Sequence, residues 1–312
     1  MAKIHFYPAN IIAQVAEGTT ILEAALEAGV VIESPCNGEG TCGKCKVKLS
    51  QQSLTRVTQD GKHHLSAAEE EQGFVLSCQT VVHGDIDVEV VKFQHNDTLK
   101  IVSEGLSLDH SLERLITKVY DEKEDVTSVL AGDGLLGKEA GDTSSQSLGV
   151  VVDIGTTTLV ASLVHLSSGQ ELGSASALNP QSLHAQDVLS RIKFASEAKG
   201  LDIMYSALIK EVNRLIGEVA EGAGISKEHI YEVVFSGNTC MLHLATKVNP
   251  ATMGKYPYTP QITGGNHVGA AEHGLEIAQF GLIYLPPIVS SYVGADITSG
   301  ILAARLKEQT GV

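Results

Sequence analysis

Cys36-Asn37-Gly38-Glu39-Gly40-Thr41-Cys42-Gly43-Lys44-Cys45 is the stretch on which the reading of this chain turns. A fourth cysteine, Cys78, follows in Leu76-Ser77-Cys78-Gln79-Thr80, so the spacing is C-x5-C-x2-C-x32-C. Two irons bridged by two sulfides need four thiolates, and one tight loop plus one distant strand can supply them. Gly38, Gly40 and Gly43 let backbone N–H groups approach sulfur without obstruction. Such N–H groups stabilise the negative charge added on reduction and raise the potential. The alternative is structural zinc, which usually takes two C-x2-C pairs or mixes in histidine. Only one such pair is present, and His63, His64 and His83 do not sit at zinc-like spacing. The pattern therefore favours a [2Fe–2S] cluster on Cys36, Cys42, Cys45 and Cys78.

The flanking sequence predicts a small α+β unit over residues 1–95. Lys3–Tyr7 and Ile11–Val15 are strand candidates. Thr20 and Glu23 form a capping box for a helix with Ile21, Leu22, Ala25 and Leu26 on one face, ending at Gly29. Cys45–Leu49 resumes a strand, and Ser66 with Glu69 opens a short acidic helix. In Asp85–Val91 the apolar Ile86, Val88 and Val90 alternate with acids, as in a half-buried strand. Residues 96–146 are expected to be a linker with a shortened middle domain. A helix is predicted at His110–Val119 and a polar loop at Gly141–Gln146.

Residues 147–312 read as α/β. Leu148–Val152, Leu159–Leu166, Glu171–Leu178, Val233–Phe235 and Leu282–Leu285 are the strand candidates. Helices are expected near 185–199, 203–222, Thr239–Ala245 and Ala295–Gln309. The first strand delivers Asp153-Ile154-Gly155-Thr156-Thr157-Thr158. Gly155 permits a turn with N–H groups facing a phosphate, and Thr156–Thr158 add hydroxyl donors. Asp153 would hold hydrated Mg²⁺ or orient water. A strand ending in a capped turn is the plain alternative. Gly237, Asn238 and Thr239 follow another strand, a usual place for a ligand loop, although an ordinary strand-to-helix turn reads the same way.

Composition limits the function. The chain has 312 residues and a net charge of −15. That balance argues against nucleic acid and anionic membranes as partners. No apolar run reaches the length of a membrane span, and the start lacks a signal-peptide core, so a cytoplasmic protein is expected. Thiols there stay reduced, which suits metal binding. Cys240, next to Met241 and Leu242, is expected to be a buried thiol. Glu69–Glu71 suggests steering of a basic electron donor, or simply a solvated helix start.

Residues 3–92 resemble the ferredoxin family, with the x5 loop of the adrenodoxin-type branch. That resemblance implies a β-grasp fold and one-electron transfer, and it assigns Cys36, Cys42, Cys45 and Cys78 as the iron ligands. Residues 150–178 resemble the first phosphate loop and hairpin of the actin, sugar-kinase and Hsp70 superfamily, which implies a ribonuclease-H-like α/β lobe over 147–312. DIGTTT (153–158), SALNPQ (176–181), DVLSRI (187–192), SGNTCMLHL (236–244) and YVGADITSG (292–300) occur in the order seen in reductive activators of corrinoid-dependent methyltransferases.

This resemblance implies ATP-dependent delivery of one electron to a Co(II) corrinoid protein. The cofactors implied are a [2Fe–2S] cluster, ATP and Mg²⁺. The electron donor would be a reductase or ferredoxin, and a homodimer is an expected assembly. Asp153, Gly155, Thr156, Thr157, Thr158, Gly237, Asn238 and Thr239 would form the nucleotide site. An all-cysteine cluster of plant type lies near about −400 mV, and the protein-bound cobalt couple is expected lower, so an energy source is needed. Arg191 is expected to bind phosphate or a partner, or to be a surface residue. The middle domain is shorter than in the family, and only the first ATPase lobe is recognisable. A plain electron carrier with a docking lobe, and a kinase-like enzyme with a regulatory cluster, are the alternatives.

Overall fold

The computed structural model describes residues 1–34, 36, 38–60, 64–91 and 114–306. They form two compact units. One comprises residues 1–100 together with 181–191, and the other residues 101–180 and 192–312.

The first unit is built on a mixed five-stranded sheet. Its elements are β1 (Ala2–Tyr7), β2 (Ile11–Val15), α1 (Ile21–Glu27), β3 (Lys46–Leu49), α2 (Gln51–Leu54), β4 (Val57–Gln59), α3 (Ala67–Glu71), β5 (Phe74–Leu76), β6 (Thr80–Val82) and β7 (Ile86–Glu89). The strand order is β2-β1-β7-β3-β5, with β1 and β7 parallel and the other neighbours antiparallel. Ile4, Phe6, Val47 and Val88 alternate inward and are fully buried, the period-2 pattern of a one-sided sheet. Both expected capping boxes are made, Thr20 with Glu23 on α1 and Ser66 with Glu69 on α3. Leu26 departs from the expected helical face. It remains 40% exposed, because the seven-residue α1 turns Ala24 and Ala25 into the core instead.

The second unit opens with an antiparallel meander of β8 (Ile116–Asp121), β9 (Val126–Ala131) and β10 (Gly134–Ala140). The helix expected at 110–119 is corrected here. Residues 110–113 lie outside the described residues, and Ile116–Val119 is strand. Ile116, Thr117, Val119 and Tyr120 are β-branched or aromatic, and six register pairs to β9 decide the matter. A buried network fastens the meander to the main sheet. Lys118 Nζ lies 2.9 Å from Glu139 Oε2 and donates to Tyr231 Oη, which donates to Glu139 Oε1 at 2.7 Å.

The main sheet contains β11 (Leu148–Ile154), β12 (Thr158–His165), β13 (Gln170–Leu178), β14 (Ile230–Gly237), β15 (Asn266–Gly269) and β16 (Leu282–Leu285), in the order β13-β12-β11-β14-β16-β15. The strands β11, β14 and β16 are parallel, and the outer ones antiparallel. The helices are α4 (Val188–Ala195), which spans the division between the units, α5 (Gly200–Gly222), α6 (Thr239–Ala245) and α7 (Ala295–Ala303). The helix α4 is shorter than the expected 185–199, because Asp187 caps it by accepting from the N–H groups of Leu189 and Ser190. Likewise α7 stops at Ala303 rather than reaching Gln309, whose position lies outside the described residues. Val150, Val152 and Ile154 of β11 are buried on one face, while Val151 on the other is 41% exposed at the middle of the sheet.

Candidate functional site

Two loops carry the chemistry. The first runs from Ser34 to Cys45. Gly38, Gly40 and Gly43 all take positive φ, and a Cβ at Gly43 would lie 2.5 Å from His64 Cβ. That close approach and the left-handed backbone are why glycine stands there. The four thiols come together in two pairs. Cys42 Sγ lies 3.2 Å from Cys36 Sγ, and Cys45 Sγ lies 3.2 Å from Cys78 Sγ. These are free thiols, far beyond the ~2.05 Å of a disulfide. A tetrahedral metal with bonds of ~2.3 Å separates two sulfurs by about 3.7 Å, so each pair is within half an ångström of chelating one ion.

Charge follows the same pairing. Burial pushes the Cys36 thiol up, but hydrogen bonds with Cys42 and Thr41 outweigh it and bring it down to about 7. The hydrogen bond with Cys78 holds Cys45 down at about 6, against burial. Cys42 is pushed up by burial, and Cys78 by its hydrogen bond to Cys45 and by burial. Each pair thus behaves as a thiol beside a thiolate sharing a proton, which a metal would displace. Lys44 N–H also points at Cys42 Sγ, at 3.5 Å. Among the described residues no three His, Cys, Asp or Glu side chains surround one point. The donor set therefore fits a two-metal cluster, with two sulfurs for each metal, better than a single zinc. His83 is occupied with Thr58 Oγ1 at 2.9 Å, and His63 lies outside the described residues.

The second loop follows β11. A Cβ on Gly155 would meet the Thr158 carbonyl at 2.6 Å, so the tight turn between β11 and β12 requires glycine. Buried Asn179 braces the turn: its N–H donates to the Thr157 carbonyl and its Nδ2 to the Gly155 carbonyl, both at 2.8 Å. The sequence carries Asn179 only within SALNPQ and does not announce this role; its signal is only that it follows the second hairpin strand. Parallel pairing sets Asp153 beside Ser236 and Ile154 beside Gly237, bringing Gly237, Asn238 and Thr239 to the same sheet end. Asn238 caps α6 by accepting from Met241 N–H at 3.0 Å, and its Nδ2 donates to Thr156 Oγ1 at 3.1 Å. Thr239 is fully buried with its hydroxyl donating to the Ser290 carbonyl at 2.6 Å. Gly294 packs against this turn, where a Cβ would come within 2.5 Å of Thr239 N. Asp153 reaches solvent at the strand end, yet the surrounding fold withdraws enough water to push its pKa up, and the Asp296 carboxylate pushes it further.

Comparison with known families decides the grouping. Residues 148–309 match the model of the RACo middle region, and residues 4–83 that of the 2Fe-2S iron-sulfur cluster binding domain. The chain belongs to the RACo family. It is 23% identical over 92% of its length to the corrinoid activation enzyme RamQ of Eubacterium limosum, covering 53% of that protein. A stretch of 73 residues is 34% identical to a component of the Na(+)-translocating NADH-quinone reductase of Chlamydia muridarum, covering 23% of this chain and 17% of that one. The solved structure of a reductive activator for corrinoid, iron-sulfur protein superposes with a TM-score of 0.61 at 28% identity, over 99% of this chain and 59% of that one. The RACo-family chain is therefore a ferredoxin-like 2Fe-2S domain followed by an α/β domain with a mixed sheet, spanning about half the length of RamQ.

Other expectations change in this RACo-family chain. Arg191 is neither a phosphate ligand nor a surface residue. It is fully buried, with its Nε donating to the Ala185 carbonyl at 2.9 Å and its guanidinium to Gln181 Oε1 at 3.0 Å. Glu69 is committed to the Ser66 cap and to Lys46, 2.6 Å away, so the acidic helix offers a partner less charge than its sequence suggests. Cys240 is buried as expected. Among the described residues no helix is long and apolar enough to cross a membrane.

Proposed function

We propose that this chain carries one electron to a Co(II) corrinoid protein in an ATP-dependent reductive activation. The observation that carries the reading is the two-by-two convergence of four thiols in a chain whose remaining half matches the RACo middle region. In this reading residues 1–95 hold the cluster, 96–146 connect, and 147–312 form the first, ribonuclease-H-like lobe of an actin- and Hsp70-type ATPase. Cys36 and Cys42 would ligate one iron, Cys45 and Cys78 the other. Held by these four thiolates, a cluster would supply one-electron transfer from a reductase or ferredoxin to cobalt.

The chain's own residues shape that exchange. The Lys44 N–H aimed at Cys42 Sγ favours the reduced, more negative state. Burial of Cys45 and Cys78 keeps water from the inner pair. At the other loop, Gly155 and Thr156–Thr158 would cradle phosphate, with Gly237, Asn238 and Thr239 bracing it from the neighbouring strand. Thr239 contributes through packing, since its hydroxyl is engaged with Ser290. Asp153 would hold Mg²⁺ with nucleotide: a divalent cation would offset the burial and the repulsion from Asp296 that raise its pKa. Reduced thiols and the net charge fit a cytoplasmic protein acting on a protein partner.

The test is anaerobic reduction of a Co(II) corrinoid protein by this protein, followed by Co(I) absorbance with and without ATP. ATP-stimulated Co(I) formation is expected. Reduction at the same rate without ATP would favour the carrier reading, in which the α/β lobe only docks. Phosphorylation of a small substrate would favour the kinase reading.

A further inference from the structure

The backbone entering Cys36 is gripped by a side chain 152 positions from Ser34. Gln186 belongs to the segment 181–191, which packs with residues 1–100 as one unit. Its Nε2 donates to the Ile32 carbonyl at 2.6 Å, and its Oε1 accepts from the Ser34 N–H. One primary amide thus brackets Glu33 with the donor and acceptor that a neighbouring parallel strand would offer. Residues 31–34 have no regular secondary structure to do this. Ile32 and Ser34 are 3% and 2% exposed, so water cannot readily replace the amide. From Ser34 the grip continues across the first cysteine, because Ser34 Oγ accepts from Gly38 N–H at 3.2 Å. Ser34 and Gly38 flank Cys36 on both sides.

The segment that presents Gln186 is itself held. Buried Arg191 pins the Ala185 carbonyl and Gln181, and Asp187 caps the start of α4. A glutamine that served only as a space-filling residue would not need a braced segment or two backbone partners.

We propose that Gln186 is a positioning residue for the cluster: its amide fixes Ile32 and Ser34, Ser34 in turn holds Gly38, and these anchors on either side of Cys36 set the approach of its thiolate to the metal. The inference rests on the reading of Cys36 as an iron ligand. It assigns part of the cluster's second layer to a segment that begins about 90 residues beyond the ferredoxin-like sequence.

Q186A removes both bonds. Q186E keeps size and the acceptor for Ser34 but sets a second acceptor against the Ile32 carbonyl. Both variants should lose iron to a chelator on the order of tenfold faster, as expected for two hydrogen bonds. The midpoint potential should fall and the electron-spin signal of the reduced cluster should change shape, since fewer N–H groups hold the sulfurs. Wild-type release, potential and signal in folded Q186E or Q186A would overturn the proposal. If neither variant folds, amide exchange at Ser34 in the unaltered protein decides: protection supports the clamp, and exchange at the rate of an open loop overturns it. A wild-type protein without iron and labile sulfide would instead overturn the cluster reading itself, which separates the two failures.

Discussion

Asn238 reaches from the cap of α6 to Thr156 across 3.1 Å, so one side chain both starts a helix and holds the loop after β11. The two tasks use different atoms: Oδ1 accepts from Met241 N–H, and Nδ2 donates to Thr156 Oγ1. N238A should cost about 1–2 kcal/mol, a lost cap plus a lost hydrogen bond, read by urea unfolding. N238D keeps the cap acceptor and should recover most of that stability. Under the proposed function, N238D should still weaken nucleotide binding, because it adds a further anion to the sheet end that already carries Asp153 and Asp296.

The pairing of thiols makes the cysteines unequal to Cys240. C36S, C42S, C45S and C78S should each abolish the electron-spin signal of a reduced two-iron cluster and lower iron and labile sulfide together. C240S should retain all three, since Cys240 is buried in α6. A C240S variant lacking iron, or a C78S variant keeping the full complement, would contradict the assignment.

Much of the first unit was legible because its signals are local. The capping boxes at Thr20 and Ser66 need only residues three apart, and the alternation around Ile86 and Val88 needs only a strand's own period. What escaped was set by distant partners. Ile116–Asp121 is a strand because β9 pairs with it, although Leu112, Leu115 and Ile116 have helical spacing. Asn266–Gly269 carries no strand pattern, and is a strand because β16 lies beside it. Arg191 looked exposed because arginine usually is, and nothing nearby in sequence announces Gln181 and the Ala185 carbonyl as its partners. Gln186 is the extreme case: a polar residue near a helix start whose role is defined by Ile32 and Ser34. The phosphate-type loop was visible as glycine and hydroxyls, but Asn179, which braces it, has only its position to recommend it.

Glu69 gives a pH-dependent term on the cluster side. Its hydrogen bonds to Lys46 and the Ser66 cap hold its carboxyl at about 2, below the ordinary 4.5. The charged form is favoured by folding, so the contribution is complete above about 4.5 and disappears as pH falls towards 2. E69A should destabilise by about 1–2 kcal/mol near neutrality, from the lost cap and ion pair. The gap between wild type and E69A should close between those two pH values. A gap independent of pH would show that the carboxylate's charge is not what matters.

His243 gives a term of the opposite chemical type in the second unit. It is fully buried in α6, with Nδ1 2.7 Å from the Thr239 carbonyl and Nε2 accepting from Gln261 N–H at 2.9 Å. Those partners define a neutral ring with its proton on Nδ1. Burial pushes its pKa below the ordinary 6.5, with the Thr239 carbonyl opposing. The unfolded chain therefore binds a proton first as pH falls, and stability drops below about 6.5 until the folded ring also protonates. Protonation would put an N–H at Nε2 against the Gln261 N–H, releasing the loop that Gln261 anchors. Wild type should thus lose stability as pH falls below about 6.5. H243Q, which does not titrate, should start less stable but show a flatter profile there, measured by urea unfolding across the range. A wild-type profile as flat as that of H243Q would mean that the ring binds its proton equally well folded and unfolded, which its burial and its contact with the Gln261 N–H oppose.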